Sequence, residues 1–281
     1  MTDISIRRDG LNLAASVHGS RDAQPILLLH GHSLSRDTWD EIARRLCDCH
    51  QVWTLDFHGH GHSDHAPSYQ FADYVADAEA MLRVLAKPPV VVGHSLGACV
   101  AGVLAQSPHL NLRGAFLEDP PWFLGEETEW QRSVFPKLFP IVAAQQASLQ
   151  QENAPLAAYV AFVSNAPSPK GGVASDHIGP RQLLSHASAL QRQDNRCWAS
   201  IGSLLAPIPT NGEFRCPTRI LQADPGLGAA LLDGHEARLA RANPRAEIVR
   251  YSGAGHGIHR ERAFEEKFFA DLMTFLSAIP A

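Results

Sequence analysis

Pro89-Val90-Val91-Val92-Gly93-His94-Ser95-Leu96-Gly97-Ala98 is the stretch whose reading decides the fold. Its apolar run is continuous rather than alternating, the pattern of a strand buried on both faces of a parallel sheet. A helical pattern from Leu96 to Gln106 follows it directly. Between the two stands Gly93-His94-Ser95-Leu96-Gly97, a Gly-x-Ser-x-Gly turn in strand-to-helix context. A serine there sits in a tight, strained backbone, and glycines flank it because strand and helix crowd the turn. The turn exposes the hydroxyl and aims a helix N-terminus at it, so the Leu96 backbone N–H can stabilise charge developing on an oxygen.

Outward from this turn, short apolar runs recur at Ile26–Leu29, Val52–Leu55, Ala115–Leu117, Thr218–Leu221 and Ile248–Val249. Helical patterns lie between or after them at Thr38–Leu46, Phe71–Leu85, Asp233–Ala242 and Ala263–Ile279. Strand and helix alternating in this way predict a mostly parallel, doubly wound α/β sheet. The rhythm breaks after Pro120-Pro121. From Trp122 to about Asn211 only helix-like segments punctuated by prolines appear, which reads as a helical cap inserted between two strands. The expected division is a core of residues 1–121 and 212–281 with a cap of residues 122–211. Within the cap, Ala166-Pro167-Ser168-Pro169-Lys170-Gly171-Gly172 reads as a flexible loop.

Composition bounds the function. A chain of 281 residues at 45% hydrophobic can bury one large core. Lys plus Arg total 24 against 29 for Asp plus Glu, which offers no electrostatic footprint for nucleic acid or an anionic membrane surface. The first ten residues lack the apolar run of a signal peptide, and no stretch reaches the ~18 apolar residues of a membrane helix. The expectation is a cytoplasmic protein whose partner is a small molecule. Five scattered cysteines suggest neither a disulfide framework nor a paired zinc site.

Three further motifs stand in an order that resembles the α/β-hydrolase superfamily. Leu28-Leu29-His30-Gly31-His32 is similar to that family's strand-end His-Gly segment, and the resemblance implies that the His32 backbone N–H, with that of Leu96, forms an oxyanion hole. Asp56-Phe57-His58-Gly59-His60-Gly61-His62-Ser63-Asp64 resembles its glycine loop, with His58 where arginine is usual, and implies a structural role. Ser252-Gly253-Ala254-Gly255-His256-Gly257 resembles the segment that carries the catalytic histidine after the last strand. A serine hydroxyl is a poor nucleophile until a base removes its proton, and His256 is the best-placed of 15 histidines for that task. His259 is the nearest competitor, as an exposed or substrate-side residue. His94, beside Ser95, should point away from the hydroxyl.

An acid is needed to orient the histidine, and two residues compete for the place. In most of the family it follows the penultimate strand, three residues after a glycine. Here Ala223 stands for that glycine, the expected position is Gly226, and Asp224 falls two residues early, stiffened by Pro225. In some relatives, fungal zearalenone-type lactone hydrolases among them, the acid follows the strand before the cap, where Asp119 stands in Glu118-Asp119-Pro120-Pro121. Asp119 is preferred to Asp224, with a helix- or turn-capping role at the entrance to the cap as its strong competing reading.

The resemblance implies hydrolysis of a carboxylic ester or lactone through an acyl-enzyme on Ser95, without cofactor or metal. Aspartate would stand at Ser95 in the dehalogenase and epoxide hydrolase branches; carbon–carbon bond hydrolases keep serine and are the runner-up. Trp122, Phe123, Trp130, Phe135, Phe139, Tyr159, Phe162 and Trp198 could line an apolar pocket, which leans toward an apolar or aromatic substrate. A different class must be weighed too, because His60-Gly61-His62-Ser63-Asp64-His65 matches the His-x-His-x-Asp-His motif of zinc-dependent metallo-β-lactamase-fold hydrolases. A third class is a non-catalytic small-molecule receptor on the same fold.

Overall fold

A computed structural model describes residues 1–199 and 201–279. Eight strands form one sheet: β1 (Thr2–Arg8), β2 (Leu11–His18), β3 (Gln24–Leu29), β4 (His50–Leu55), β5 (Val90–His94), β6 (Gly114–Glu118), β7 (Thr218–Gln222) and β8 (Glu247–Arg250). Their spatial order is β1-β2-β4-β3-β5-β6-β7-β8. From β4 to β8 every neighbouring pair is parallel, and β2 runs against both of its neighbours.

The continuous apolar runs explain the layering. Along β3, Leu27 and Leu29 join one core with Val91, Leu117 and Ile220, while Ile26 and Leu28 join a second with Val90, Val92 and Phe116. Successive residues of a strand point to opposite faces, so both faces of these central strands are apolar and both need covering. Helices α1 (Asp40–Leu46), α2 (Phe71–Leu82) and α3 (Leu96–Gln106) lie in the first half of the chain. Through Tyr74, Ala78 and Met81, α2 shares the first core with α3, and Ile42, Ala43 and Leu46 of α1 enter the second.

Between β6 and β7 the chain runs through α4 (Glu127–Arg132), α5 (Phe135–Gln151), α6 (Leu156–Ser164), α7 (Ala174–His177), α8 (Pro180–Arg192) and α9 (Ile201–Leu204). Leu149, Tyr159, Val163, Leu183, Ala187, Leu190 and Trp198 give these helices a core of their own. After β7 come α10 (His235–Ala242) and α11 (Glu265–Ala278), whose Phe268, Leu272 and Phe275 complete the second core.

Two readings of the sequence need correction. The N-terminal hairpin of β1 and β2 was not among the expected strands, since it lacks a continuous apolar run: Ile6, Leu13 and Ala15 are buried, while Ser5, Arg7 and Asn12 are exposed. The segment Ala166–Gly172 is closed on itself rather than loose, with Ser168 N–H donating to Gly172 O at 3.1 Å, Gly171 N–H to Ser168 O at 3.0 Å, and a bridge from Pro167 to Val173.

The crowding expected at the serine turn is present. A Cβ on Gly93 would lie 2.2 Å from the Gly97 carbonyl oxygen, and one on Gly97 would lie 2.3 Å from that of Leu29. Both obstacles are backbone, which cannot swing aside. Gly97→Ala should therefore cost about 3 kcal/mol, the upper range for forced overpacking, and lower the melting temperature measurably. An unchanged melt would show that α3 can slide off β3 at no cost.

Candidate active site

Parallel strands deliver their loops to one end of a sheet, and ligands of open α/β sheets bind where the strand order reverses. Here that point lies between β3 and β5. The register sets Leu29 beside Gly93 and His94 beside Glu118, so the residues just past β3, β5 and β6 are neighbours: Gly31-His32, Ser95 and Asp119. The loop after β8 brings His256 to the same place.

Ser95 has φ 53° and ψ −116°, and Asp119 has φ 43°. Such conformations cost a non-glycine residue about 1–3 kcal/mol and persist only where surrounding structure enforces them. For Ser95 the enforcement is visible, since its N–H donates to Glu118 O at 3.0 Å and its carbonyl accepts from Cys99 N–H at 3.0 Å. For Asp119 the N–H donates to Leu221 O at 2.8 Å.

The side chains form a line. Ser95 Oγ lies 2.9 Å from His256 Nε2, and His256 Nδ1 lies 2.6 Å from Asp119 Oδ2. Asp119 is fully buried and accepts three backbone N–H bonds besides, from Ala223 at 3.1 Å, Ala230 at 2.7 Å and Leu231 at 3.2 Å. Asp224 lies elsewhere. Its Oδ1 accepts from Gly226 N–H at 3.0 Å and its Oδ2 from Gly253 N–H at 2.8 Å, which makes it the N-cap of a short 3-10 turn at Pro225–Leu227. Those two amides, Gly253 first, hold its carboxyl below the usual carboxylate range.

The backbone N–H groups of His32 and Leu96 meet no protein acceptor among the described residues, and both residues line the recess beside Ser95. Leu96 opens α3, so its amide is one of the helix's unsatisfied N-terminal donors. The His32 ring is edge-on to Trp198 at 4.4 Å, and burial brings its pKa down to about 3, so the ring adds no charge beside Ser95 at neutral pH.

The other histidines divide sharply. His94 lines the cavity, and its Nε2–H donates to the His256 carbonyl at 3.1 Å, tying the strand turn to the histidine loop. Burial drives the His94 pKa well below its ordinary value, which keeps a second cation away from His256. His259, read as exposed or substrate-facing, is buried instead. Its Nδ1–H donates to Glu118 at 2.7 Å, its Nε2 lies 2.9 Å from Thr38 Oγ1, and its ring stacks on Trp39 at 4.2 Å, a structural arrangement. His58, where arginine was expected, donates through Nδ1 to Asp77 at 2.6 Å, and Arg8 pairs with the other oxygen of that carboxylate.

The zinc alternative finds no geometry to support it. His60 donates to the His58 carbonyl and accepts from Gln193, Asp64 accepts from Asn12, and His65 donates to the Arg192 carbonyl, while His62 is exposed. The three that are bonded turn to separate partners, and none of the four shares one with another. Among the described residues no three His, Cys, Asp or Glu side chains gather closely enough to hold a metal ion.

A cavity of about 270 Å³ opens over Ser95 and His256, walled by Phe135, Phe139, Phe162 and Trp198 from the helical segment and by Leu183 and Leu190 of α8. Phe135 also packs edge-on against the His256 ring at 5.3 Å. Trp130 lines a narrower apolar recess on the Leu96 side of the serine. The remaining aromatics serve packing: Trp122 lies against Phe214, Phe123 against His235, and Tyr159 in the core of the helical segment. Missed by sequence reasoning were Arg260 and His186, which reach the same cavity. Their position depends on how the helical segment folds over the sheet, which no local pattern signals.

Comparison with known proteins agrees with this architecture. A model of the alpha/beta hydrolase family matches residues 26–266. A serine hydrolase-like protein from Dictyostelium discoideum is 35% identical over 108 residues, 36% of this chain and 30% of that protein. A human serine hydrolase-like protein is 28% identical over 145 residues, 50% of this chain and 71% of that protein. The chain spans about a third of the length of the first of these relatives. Among solved structures, E-2-(acetamidomethylene)succinate hydrolase is similar with a TM-score of 0.75 at 19% identity, covering 99% of each chain. The enol-lactonase from Burkholderia xenovorans LB400 is similar with a TM-score of 0.70 at 17% identity, covering 98% of this chain and all of that one. At such identities the likeness speaks to fold. The family match over most of the chain, with the mostly parallel sheet and the serine turn after β5, places this protein in the alpha/beta hydrolase family.

Proposed function

We propose that this protein is a serine hydrolase that cleaves a carboxylic ester or lactone through an acyl-enzyme on Ser95. The observation that carries the reading is the continuous hydrogen-bonded line from Ser95 Oγ through His256 to Asp119. With Nδ1–H donating to Asp119, the His256 Nε2 lone pair faces Ser95 and accepts its proton as Oγ attacks the substrate carbonyl. The oxygen of that carbonyl gains charge and is stabilised by the His32 and Leu96 amides. The histidinium then returns the proton to the departing alkoxide. Water enters, gives a proton to His256, and attacks the acyl carbon to release the acid and free Ser95.

Two apolar spaces flank Ser95, the larger under Phe139, Phe162 and Trp198 and the narrower beside Trp130 and Leu204. An ester has two halves and needs two such spaces, which supports an apolar or aromatic substrate. No specific observation favours carbon–carbon bond cleavage. The reading is tested with a fluorophosphonate probe, which should label Ser95 in the folded protein and nothing after heat denaturation. A panel of p-nitrophenyl esters and lactones, run beside the labelling, then identifies the bond cleaved. Absence of labelling together with absence of turnover across the panel would return the protein to the receptor class.

A further inference from the structure

Among the described residues, one charge in the cavity has no ion-pair partner. Arg260 follows His256 by four residues and lines the same cavity, and its Nε and Nη2 are buried without a hydrogen-bond acceptor. The two carboxylates whose charge it feels are occupied elsewhere. Glu118 accepts from His259 through both oxygens, and Glu261 accepts from Gly255 N–H and pairs with Lys170. Near it, Nε2 of His186 on α8 is likewise buried, unpartnered and on the cavity wall. Burying a guanidinium without an anion is costly, and such sites keep the charge when a ligand supplies the partner. Here the burial is felt as a pKa for Arg260 lowered to about 10.

Resting on the serine hydrolase reading, we propose that the substrate carries a carboxylate separate from the scissile carbonyl, and that Arg260, assisted by His186, anchors it. Away from the catalytic groups and the histidines beside them the cavity wall is mostly apolar, so the substrate class is an ester or lactone with a hydrophobic body and an acidic end. Arginine suits the task because its planar donor fork matches a carboxylate in two parallel hydrogen bonds.

The test compares p-nitrophenyl monoesters of a series of aliphatic dicarboxylic acids with p-nitrophenyl esters of monocarboxylic acids of similar length. The unmodified enzyme should favour at least one acidic ester in kcat/KM. Arg260→Gln should reduce kcat/KM for that ester about ten- to a hundredfold more than for its neutral counterpart, chiefly through KM, as loss of a charge-assisted hydrogen bond does. Arg260→Lys should fall between. A second measurement needs no turnover: a free aliphatic carboxylate should slow fluorophosphonate labelling of Ser95 in the unmodified protein more than in Arg260→Gln. Arg260→Met, which removes the unpaired charge, should melt at or above the temperature of the unmodified protein. Equal losses on acidic and neutral esters, no acidic ester preferred, or failure of Arg260→Met to fold would each overturn the anchor. Labelling and neutral-ester hydrolysis that depend on Ser95 report the underlying reading separately, so the two failures are distinguishable.

Discussion

Ser95→Ala should lower turnover by about 10⁶ while leaving the protein folded, the size of loss that removing a serine nucleophile produces in comparable enzymes. The substitution is gentle on structure for reasons visible at the turn. Alanine keeps the Cβ, so the φ of 53° is no more strained than in the parent, and the N–H to Glu118 O and carbonyl to Cys99 N–H bonds are backbone and survive. What disappears is one side-chain hydrogen bond, Ser95 Oγ to His256 Nε2, worth about 0.5–1.5 kcal/mol. Activity should therefore vanish without a matching fall in the melting temperature. Turnover within tenfold of the parent, measured on protein freed of contaminating esterase, would sink the serine mechanism.

That prediction was available from sequence because the motif that marks Ser95 is local, although its N–H is held by the remote Glu118 carbonyl. Gly93, Gly97, the valine run and the start of the helix lie within ten residues, and the crowding of Gly93 is by the Gly97 backbone, while the carbonyl that crowds Gly97 is that of Leu29 on β3. The central strands were legible for a similar reason, since burial on both faces writes itself as an unbroken apolar run. The edge hairpin was less so. It lacks such a run, and the signal that could have revealed it is Asp9-Gly10, both at positive φ, the two-residue turn that joins β1 to β2. His259 was misjudged because its environment is entirely tertiary: Trp39, Thr38 and Glu118 come to it from remote segments. Arg260 was passed over for the same reason, as a missing partner is a fact about the whole neighbourhood.

Asp119→Asn should reduce turnover by up to about 10⁴ near neutral pH, whereas Asp224→Asn should leave it within about threefold, in line with a surface change worth about 0.5 kcal/mol. The argument turns on which atoms Asp119 presents. Oδ2 faces both His256 Nδ1 and Ala230 N–H, and Oδ1 faces Ala223 and Leu231 N–H, so an amide nitrogen at either position meets donors. With the nitrogen at Oδ2 the imidazole must turn its Nδ1 into an acceptor and carry its proton on Nε2, where it can no longer take one from Ser95. With the nitrogen at Oδ1 two buried amides lose their acceptor, each at a cost of about 1–3 kcal/mol. Asp119→Asn is thus expected to melt earlier as well as to turn over slowly, and kinetics belong well below its transition. Asp224, by contrast, only caps the Pro225–Leu227 turn and ties it to Gly253, bonds that an asparagine oxygen can keep in part. Both variants measured on one ester, with melts alongside, separate the two carboxylates. Should Asp224→Asn be the crippling change and Asp119→Asn run near the parent rate, the line through His256 to Asp119 is structural, and the acid lies after β7.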